Sequence, residues 1–258
     1  MLRHPEDAAA AGNVTRGHYD RLAATYDENW SHSPAFIAWM TGCIRQRLGL
    51  TGHETVADIG CGTGLYSREL TAHAAAIVCA DQSAAMLAQI PASKKLIPVT
   101  ASVEEIASGR VRLPCGTFDA ILLKEVLHHV ADPAAVIAGL AGLLRPGGRM
   151  LVVMLPATIG YPLFAAALEL FARQQPDPAD IAAGMEAAGL AAELTEDGFA
   201  LTFPADRYLG MVRNRYMSLL SHFDDDALAA GIEEISRQHP GPEIEFEDRF
   251  AFCLGVKR

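Results

Sequence analysis

One stretch decides the fold, and it reads Val56-Ala57-Asp58-Ile59-Gly60-Cys61-Gly62-Thr63-Gly64. An apolar strand predicted at 55–59 runs directly into a turn that has glycine at every second position. Glycine lets the backbone turn tightly and lets a ligand approach without meeting a Cβ atom. Asp58 stands at the carboxyl end of the strand, where open α/β sheets bind their ligands. The stretch therefore predicts the ligand-binding strand–turn–helix unit of an α/β protein.

Strands and helices alternate on the carboxyl-terminal side of this unit. Further strands are predicted at 76–80, 97–100, 118–123 and 149–155, within 191–203, and at 244–255. Helices are predicted at 13–48, 66–75, 83–90, 133–144, 159–173, 178–188, 206–223 and 224–238. This alternation predicts a mostly parallel sheet with right-handed crossovers.

Composition narrows the class of partner. The chain has 258 residues with 21 Lys and Arg against 31 Asp and Glu, a net charge of −10, which disfavours nucleic acid as a partner. The five cysteines show no C-x-x-C spacing, so we expect neither a disulfide framework nor a metal site, and we expect a cytoplasmic protein.

The uncharged segment 150–168 contains Pro156, Gly160 and Pro162. It is interpreted as a strand, a bend and a helix, with no membrane span.

Four further motifs follow the glycine turn in a fixed order. They are the segment 78–87 with Asp81, the triplet Ser102-Val103-Glu104, the segment 118–129 ending in Lys124-Glu125-Val126-Leu127-His128-His129, and the turn 143–149 with Pro146-Gly147-Gly148. Together they resemble the class I S-adenosylmethionine (SAM)-dependent methyltransferases over about residues 19–156. The resemblance implies a Rossmann-like seven-stranded sheet, mostly parallel with the last strand antiparallel, with helices on both faces and added N-terminal and C-terminal lid helices.

The resemblance also implies a domain plan. We expect a single domain over 1–258, with lid helices at 13–50, the SAM-binding core at 51–156, and substrate-side helices and final strands at 157–258. The alternative is an NAD-type Rossmann domain or a nucleotide-free doubly wound protein, but it explains the glycines without explaining the Leu-His-His loop and the Leu-Arg-Pro-Gly-Gly turn.

S-adenosyl-L-methionine is the cofactor that the resemblance implies. The residues expected to bind it are Tyr26, Asp58, Gly60, Cys61, Gly62, Gly64, Asp81, Gln82, Ser102, Val103, Lys124 and Glu125. Asp81 matches the acid that holds the ribose hydroxyls, 21 residues after Gly60. Asp58 suits the positive charges of SAM, and Ser102 stands where the family usually has an Asp beside the adenine. Tyr26 belongs to the expected lid, with a core-packing role as its alternative.

Chemistry is expected at the end of the fourth predicted strand. His128 and His129 are the candidate catalytic residues, because histidine takes up a proton near neutral pH. Either histidine alternatively holds the loop or packs against the cofactor. The leading hypothesis is a methyltransferase acting on a small-molecule acceptor. Two alternatives stay open: an enzyme that uses SAM as an alkylating or cyclising substrate, like the azetidine-2-carboxylate synthases, and a non-catalytic SAM-binding regulator.

Overall fold

The computed structural model describes residues 33–258 of the chain. The strands are β1 Thr55–Ile59, β2 Ala76–Asp81, β3 Leu96–Thr100, β4 Phe118–Lys124, β5 Leu144–Met154, β6 Leu190–Pro204 and β7 Glu243–Lys257. They form one seven-stranded sheet in the order β3-β2-β1-β4-β5-β7-β6. The predicted strands are confirmed, although β5 to β7 are longer than expected.

Strand direction confirms the expected fold class. β1 pairs in parallel with β2 and β4, β2 with β3, and β4 with β5, whereas β7 runs antiparallel to β5. The carboxyl ends of the parallel strands therefore lie along one edge of the sheet. That edge carries Asp58 near the end of β1, Asp81 at the end of β2 and Lys124 at the end of β4. The continuous apolar runs of these strands are buried, as parallel strands with both faces covered require.

The helices connect these strands. They are α1 Pro34–Leu48, α2 Leu65–Leu70, α3 Ala84–Leu87, α4 Val103–Ala107, α5 Pro133–Gly142, α6 Ala165–Gln174, α7 Pro178–Ala187, α8 Ala205–Arg213 and α9 Asp225–Gln238. Short 3-10 turns span Thr71–His73, Leu127–His129 and Ser218–His222. Pro34 and Pro133 stand in the first turns of α1 and α5, where the missing N–H costs nothing.

Three helix predictions are wrong in extent. The predicted helix 206–223 ends at Arg213, because Arg215 adopts a left-handed conformation with φ 54° that an α-helix cannot contain. The predicted helix 83–90 is a single turn, α3, capped by the Ser83 side chain, which accepts a hydrogen bond from the Met86 N–H. The segment 150–168 is a strand ending at Met154, a bend and a helix, in the predicted order, but the helix begins at Ala165 and not at residue 159. Within residues 33–258, no helix is both long enough and apolar enough to cross a bilayer.

The chain divides into two compact units. Among the described residues, the first comprises 33–154, 176–195 and 251–258, and the second comprises 155–175 and 196–250. The first unit has an apolar core on one face of the sheet, packed against α4, α5 and α7, and every SAM-site residue expected beyond position 32 belongs to this unit. The sequence-based boundaries at 51–156 and 157–258 stay predictions.

The second unit has its own aromatic centre. The hydroxyls of Tyr208 and Tyr216 lie 3.2 Å apart, and both side chains are buried. The Tyr161 hydroxyl donates to Oδ1 of the fully buried Asp248 at 2.5 Å. Burial raises the pKa of both Tyr208 and Tyr216, so these hydroxyls stay protonated at neutral pH.

Candidate functional site

The glycine turn between β1 and α2 has a backbone that only glycine adopts readily. Gly60, Gly62 and Gly64 have φ angles of 75°, 55° and 72°. The backbone N–H groups of Gly60 and Cys61 both donate to the Ala80 carbonyl, at 2.7 and 3.1 Å. A Cβ atom on Gly60 would lie 2.4 Å from Cγ2 of Val126. The turn is therefore tied to the end of β2 and closed against the loop that follows β4, with no room for a side chain at Gly60.

The Asp81 carboxylate is held in one orientation by two backbone donors. Gly62 N–H donates to Oδ2 at 2.9 Å and Ser83 N–H donates to Oδ1 at 2.8 Å. The side chain is half-buried and is followed by half-buried Gln82. Each carboxylate oxygen has a second lone pair, so the oriented group can still accept from two adjacent hydroxyls.

Asp58 is a buried carboxylate in the same row of strand ends. Its side chain is 4% exposed, and the Ser67 hydroxyl donates to Oδ2 at 2.5 Å. Burial raises the pKa of Asp58 to about 6, against the opposing effect of the Ser67 hydrogen bond; the negative charge of Asp81 raises this pKa further, and the positive charge of Lys124 lowers it. Asp58 is therefore mostly ionised at neutral pH, as a partner for a cation must be.

The loop after β4 completes this edge of the sheet. Lys124 Nζ lies 5.2 Å from the ring centroid of Tyr66, close enough for a cation–π contact. Glu125 adopts φ 56°, a left-handed conformation that is uncommon for a residue other than glycine, and its N–H donates to the Val153 carbonyl at 2.9 Å. The chain thus turns sharply at Glu125 before the histidine pair, as strained loops at functional sites often do.

The two histidine rings lie side by side at a tilted angle. Their ring centroids lie 3.8 Å apart at an angle of 53°. His128 is 20% exposed, and its Nδ1 lies 4.0 Å from Glu125 Oε2. This Nδ1 atom is buried and has no hydrogen-bond partner among residues 33–258. Burial, with smaller contributions from His129 and Lys124, holds the pKa of His128 well below 6.5, so the ring is neutral at physiological pH.

Three other expected residues have visible structural roles. Ser102 caps α4, accepting from Glu105 N–H at 3.2 Å, while the Glu105 carboxylate accepts from Ser102 N–H at 2.9 Å. Val103 is buried in the core. Cys61 is half-buried, and its contact with the Cys79 thiol, followed by burial, raises the pKa of the Cys61 thiol well above its ordinary value. Tyr26 lies outside the described residues.

Sequence reasoning missed three residues that shape the site: Tyr66, Ser67 and Val126. Ser67 is a buried hydroxyl in the first turn of α2, three residues after the last glycine of the turn. A small polar residue in the first turn of the helix after the glycine turn, nine residues after the acid of β1, was the available signal. No comparable signal marked Val126, because its contact with Gly60 depends on how the loop after β4 folds.

The arrangement fits SAM on chemical grounds. Two carboxylates at neighbouring strand ends match the two hydroxyls of a ribose and the positive charge of an α-ammonium group. The side-chain-free surface at the glycine turn admits close approach of the nucleoside. Within residues 33–258 there is no cluster of three or more His, Cys, Asp or Glu residues placed to hold a metal ion.

Comparison with known proteins agrees with this site. Residues 57–152, which contain the glycine turn, both acids and the histidine loop, match the family described as methyltransferase domain. Together with the sheet order and the site, this match shows that the chain belongs to the class I SAM-dependent methyltransferases.

Individual relatives refine the class. The chain is 30% identical over 206 residues to a ubiquinone biosynthesis O-methyltransferase of Xanthomonas oryzae pv. oryzae, a match that covers 71% of this chain and 84% of the relative. It is therefore a methyltransferase of the small-molecule type that uses SAM.

Solved structures share the fold. Phosphoethanolamine N-methyltransferase 2 of Haemonchus contortus, solved with SAM, superimposes with a TM-score of 0.57 at 16% identity, over 92% of this chain and 57% of that one. The [4+2]-cyclase SpnF superimposes with a TM-score of 0.56 at 18% identity, over 84% of this chain and 79% of that one. At these identities the likeness concerns the fold alone.

Proposed function

We propose that the protein transfers a methyl group from SAM to a hydroxyl oxygen of a small molecule. The O-methyltransferase relative supports oxygen as the acceptor atom, since the match spans most of both chains. The observation that carries the proposal is the neutral, half-buried His128 in the loop that follows β4. A hydroxyl group must lose its proton during methylation, whereas an unprotonated amine needs no base.

Cofactor binding is assigned to the carboxyl ends of β1, β2 and β4 and the turns that follow them. Asp81 accepts from the ribose hydroxyls, Asp58 pairs with the α-ammonium group, and the turn containing Gly60, Cys61, Gly62 and Gly64 packs against the nucleoside. Support comes from the fixed orientation of Asp81 between two backbone donors and from the buried negative charge of Asp58. Gln82, Ser102 and Val103 are assigned to the adenosine side, and Tyr26, Lys124 and Glu125 to the methionine side.

When bound, SAM supplies an activated methyl group on a sulfonium, so the chain mainly has to align the acceptor for in-line attack. His128 takes up the proton of the acceptor hydroxyl, and the tilted ring of His129 lies beside it. The low pKa of His128 limits its strength as a base, but it keeps the ring able to accept a proton throughout the physiological range. Glu125 Oε2, 4.0 Å from Nδ1, stabilises the imidazolium once it forms.

Acceptor selection is assigned to residues 157–258. The SAM-site residues named above all precede this range, and the second compact unit has an aromatic centre around Tyr208 with a buried carboxylate at Asp248. The net charge of −10 favours a small molecule over nucleic acid as the partner, and five free thiols favour the cytoplasm.

A panel of acceptors tests the proposal. Purified protein is incubated with SAM and matched compounds that carry a hydroxyl, an amine or a thiol on the same small scaffold, and the products are identified by mass spectrometry. We expect S-adenosylhomocysteine together with an O-methylated product, and a loss of turnover in His128→Gln with unchanged SAM affinity. Turnover with amines alone, unaffected by His128→Gln, would replace O-methylation with N-methylation.

A further inference from the structure

Ser67 occupies a distinctive position beneath the glycine turn. Its side chain is fully buried in α2, and its hydroxyl donates to Asp58 Oδ2 at 2.5 Å. The hydroxyl has one proton to donate, and at this distance it is donated to the carboxylate, with the Cys79 sulfur as a second neighbour of the hydroxyl. A hydrogen bond donated to a carboxylate favours its ionised form, and a short one to a charged group is among the stronger hydrogen bonds in proteins.

Asp58 is surrounded by charged and titratable groups from β2, from the end of β4 and from the glycine turn. Asp81 approaches from the end of β2 and disfavours the ionised form, while Lys124 from the end of β4 favours it. Cys79 is the direct neighbour of Asp58 across the β1–β2 pair. The negative charge of Asp58 disfavours the ionised form of the Cys79 thiol and of the Cys61 thiol in the turn. Since burial opposes ionisation and the two neighbouring charges act in opposite directions, the Ser67 hydroxyl is the main group that supports the carboxylate in its ionised form.

We propose that Ser67 is a positioning residue for SAM: its hydroxyl keeps Asp58 ionised and fixes one carboxylate oxygen, which leaves the other oxygen to the α-ammonium group. The inference rests on the proposed contact between Asp58 and that ammonium group. Ser67 itself does not touch the ligand, and it acts only through the charge and orientation of Asp58.

A purely structural role predicts a different outcome. If Ser67 only ties α2 to β1, its removal lowers stability and weakens every ligand of the site by the same factor at every pH. A positioning role instead moves the pH at which affinity is lost, and only for ligands that carry the ammonium group. Two ligands separate these cases: S-adenosylhomocysteine has the α-ammonium, whereas methylthioadenosine has the same nucleoside without it.

The experiment is isothermal titration calorimetry of both ligands from pH 5 to pH 8 with the full chain. Wild type is expected to lose affinity for S-adenosylhomocysteine below a midpoint near pH 6, the pKa of Asp58, by about tenfold per pH unit. In Ser67→Ala the midpoint rises by about one to two pH units, because a hydrogen bond to a charged group stabilises the ionised carboxylate by the equivalent of about one to two pKa units. Ser67→Thr, which keeps the hydroxyl, restores the wild-type midpoint, and methylthioadenosine shows no such midpoint in any variant.

Control variants make the result decisive. Ser108→Ala removes an exposed hydroxyl at the end of α4, and it leaves the midpoint unchanged. Should Ser67→Ala not fold, Ser67→Cys keeps a weak donor of similar volume, and a smaller shift in the same direction is expected. An unchanged midpoint in the folded Ser67 variant, or an equal loss for both ligands at every pH, overturns the inference.

The Asp58→Asn variant separates this inference from the proposed function. If Asp58→Asn abolishes the acid midpoint while Ser67→Ala leaves it in place, only the role of Ser67 is wrong. If Asp58→Asn retains the wild-type midpoint, the titrating group lies elsewhere, so the assigned contact of Asp58 with the ammonium and the inference on Ser67 both fail.

Discussion

Replacing Asp58 with Asn is expected to stabilise the ligand-free protein while weakening SAM binding. The pKa of Asp58 is raised from 3.8 to about 6, mainly by burial. The folded state therefore takes up a proton more readily than the unfolded state, and the free energy of unfolding falls as pH rises from about 4 to 6. A shift of about two pKa units corresponds to about 3 kcal/mol at most, which is the cost of keeping this buried group ionised at neutral pH. Asn has the same shape without the charge, and its carbonyl oxygen can still accept from Ser67.

Urea unfolding without ligand measures this effect. At pH 7.5 we expect Asp58→Asn to raise the free energy of unfolding by about 1 to 3 kcal/mol, and this gain should shrink towards zero near pH 4. Calorimetry should show a loss of SAM affinity of about tenfold or more, because the variant lacks the charge that pairs with the ammonium. Asp132→Asn is the matched control. Position 132 is exposed and caps α5, and Asn caps a helix about as well as Asp, so this change should leave stability nearly unchanged. A variant less stable than wild type at pH 7.5, or a stability difference constant from pH 4 to 7.5, would refute the reasoning.

Three further substitutions test separate parts of the site. Asp81→Ala should cost about 2 kcal/mol or more of SAM affinity, since charged hydrogen bonds to buried partners are worth that much, and calorimetry with unchanged affinity would exclude the ribose assignment. Gly60→Ala, at φ 75° and with its Cβ 2.4 Å from a side chain of the loop after β4, should lower the melting temperature and SAM affinity together. Gly42→Ala, in the middle of α1 with open space around it, should instead raise stability by up to about 1 kcal/mol, and equal effects of the two changes would contradict the close approach at Gly60. His128→Gln should lower kcat/KM by about 100-fold or more at unchanged SAM affinity, whereas the exposed control His53→Gln should change neither. Because the pKa of His128 lies well below 6.5, wild-type kcat should show no loss from protonation of this residue as pH falls from 8 to 6.5, and a midpoint within that range would assign the base elsewhere.

The sequence predicted the part of the fold that local patterns determine. Each parallel strand is a short apolar run followed by a turn or a polar residue, and the strand-end acids Asp58 and Asp81 follow directly from that pattern. The glycine turn was readable for the same reason, since glycine is the residue that adopts the observed left-handed conformations without steric cost.

Contacts between distant segments could not be read in this way. The left-handed Arg215, which ends the predicted helix at 206–223, has no local signal, since arginine normally favours a right-handed helix. The hydrogen bond from Tyr161 to Asp248 joins residues 87 positions apart, so it depends on the tertiary fold of the second unit. Likewise, the sequence indicated an acid, Asp58, at the end of the first strand, but neither its burial nor the hydroxyl that supports it.

Identification of the nucleoside product is the measurement that tests the central claim most directly. Purified protein is incubated with SAM, alone and with a hydroxyl acceptor or a cell extract, and the nucleosides are separated and identified by mass spectrometry. The account predicts S-adenosylhomocysteine, formed only when an acceptor is present, with one methylated acceptor for each S-adenosylhomocysteine. Methylthioadenosine formed from SAM alone would contradict it, because the protein would then use another part of SAM than the methyl group.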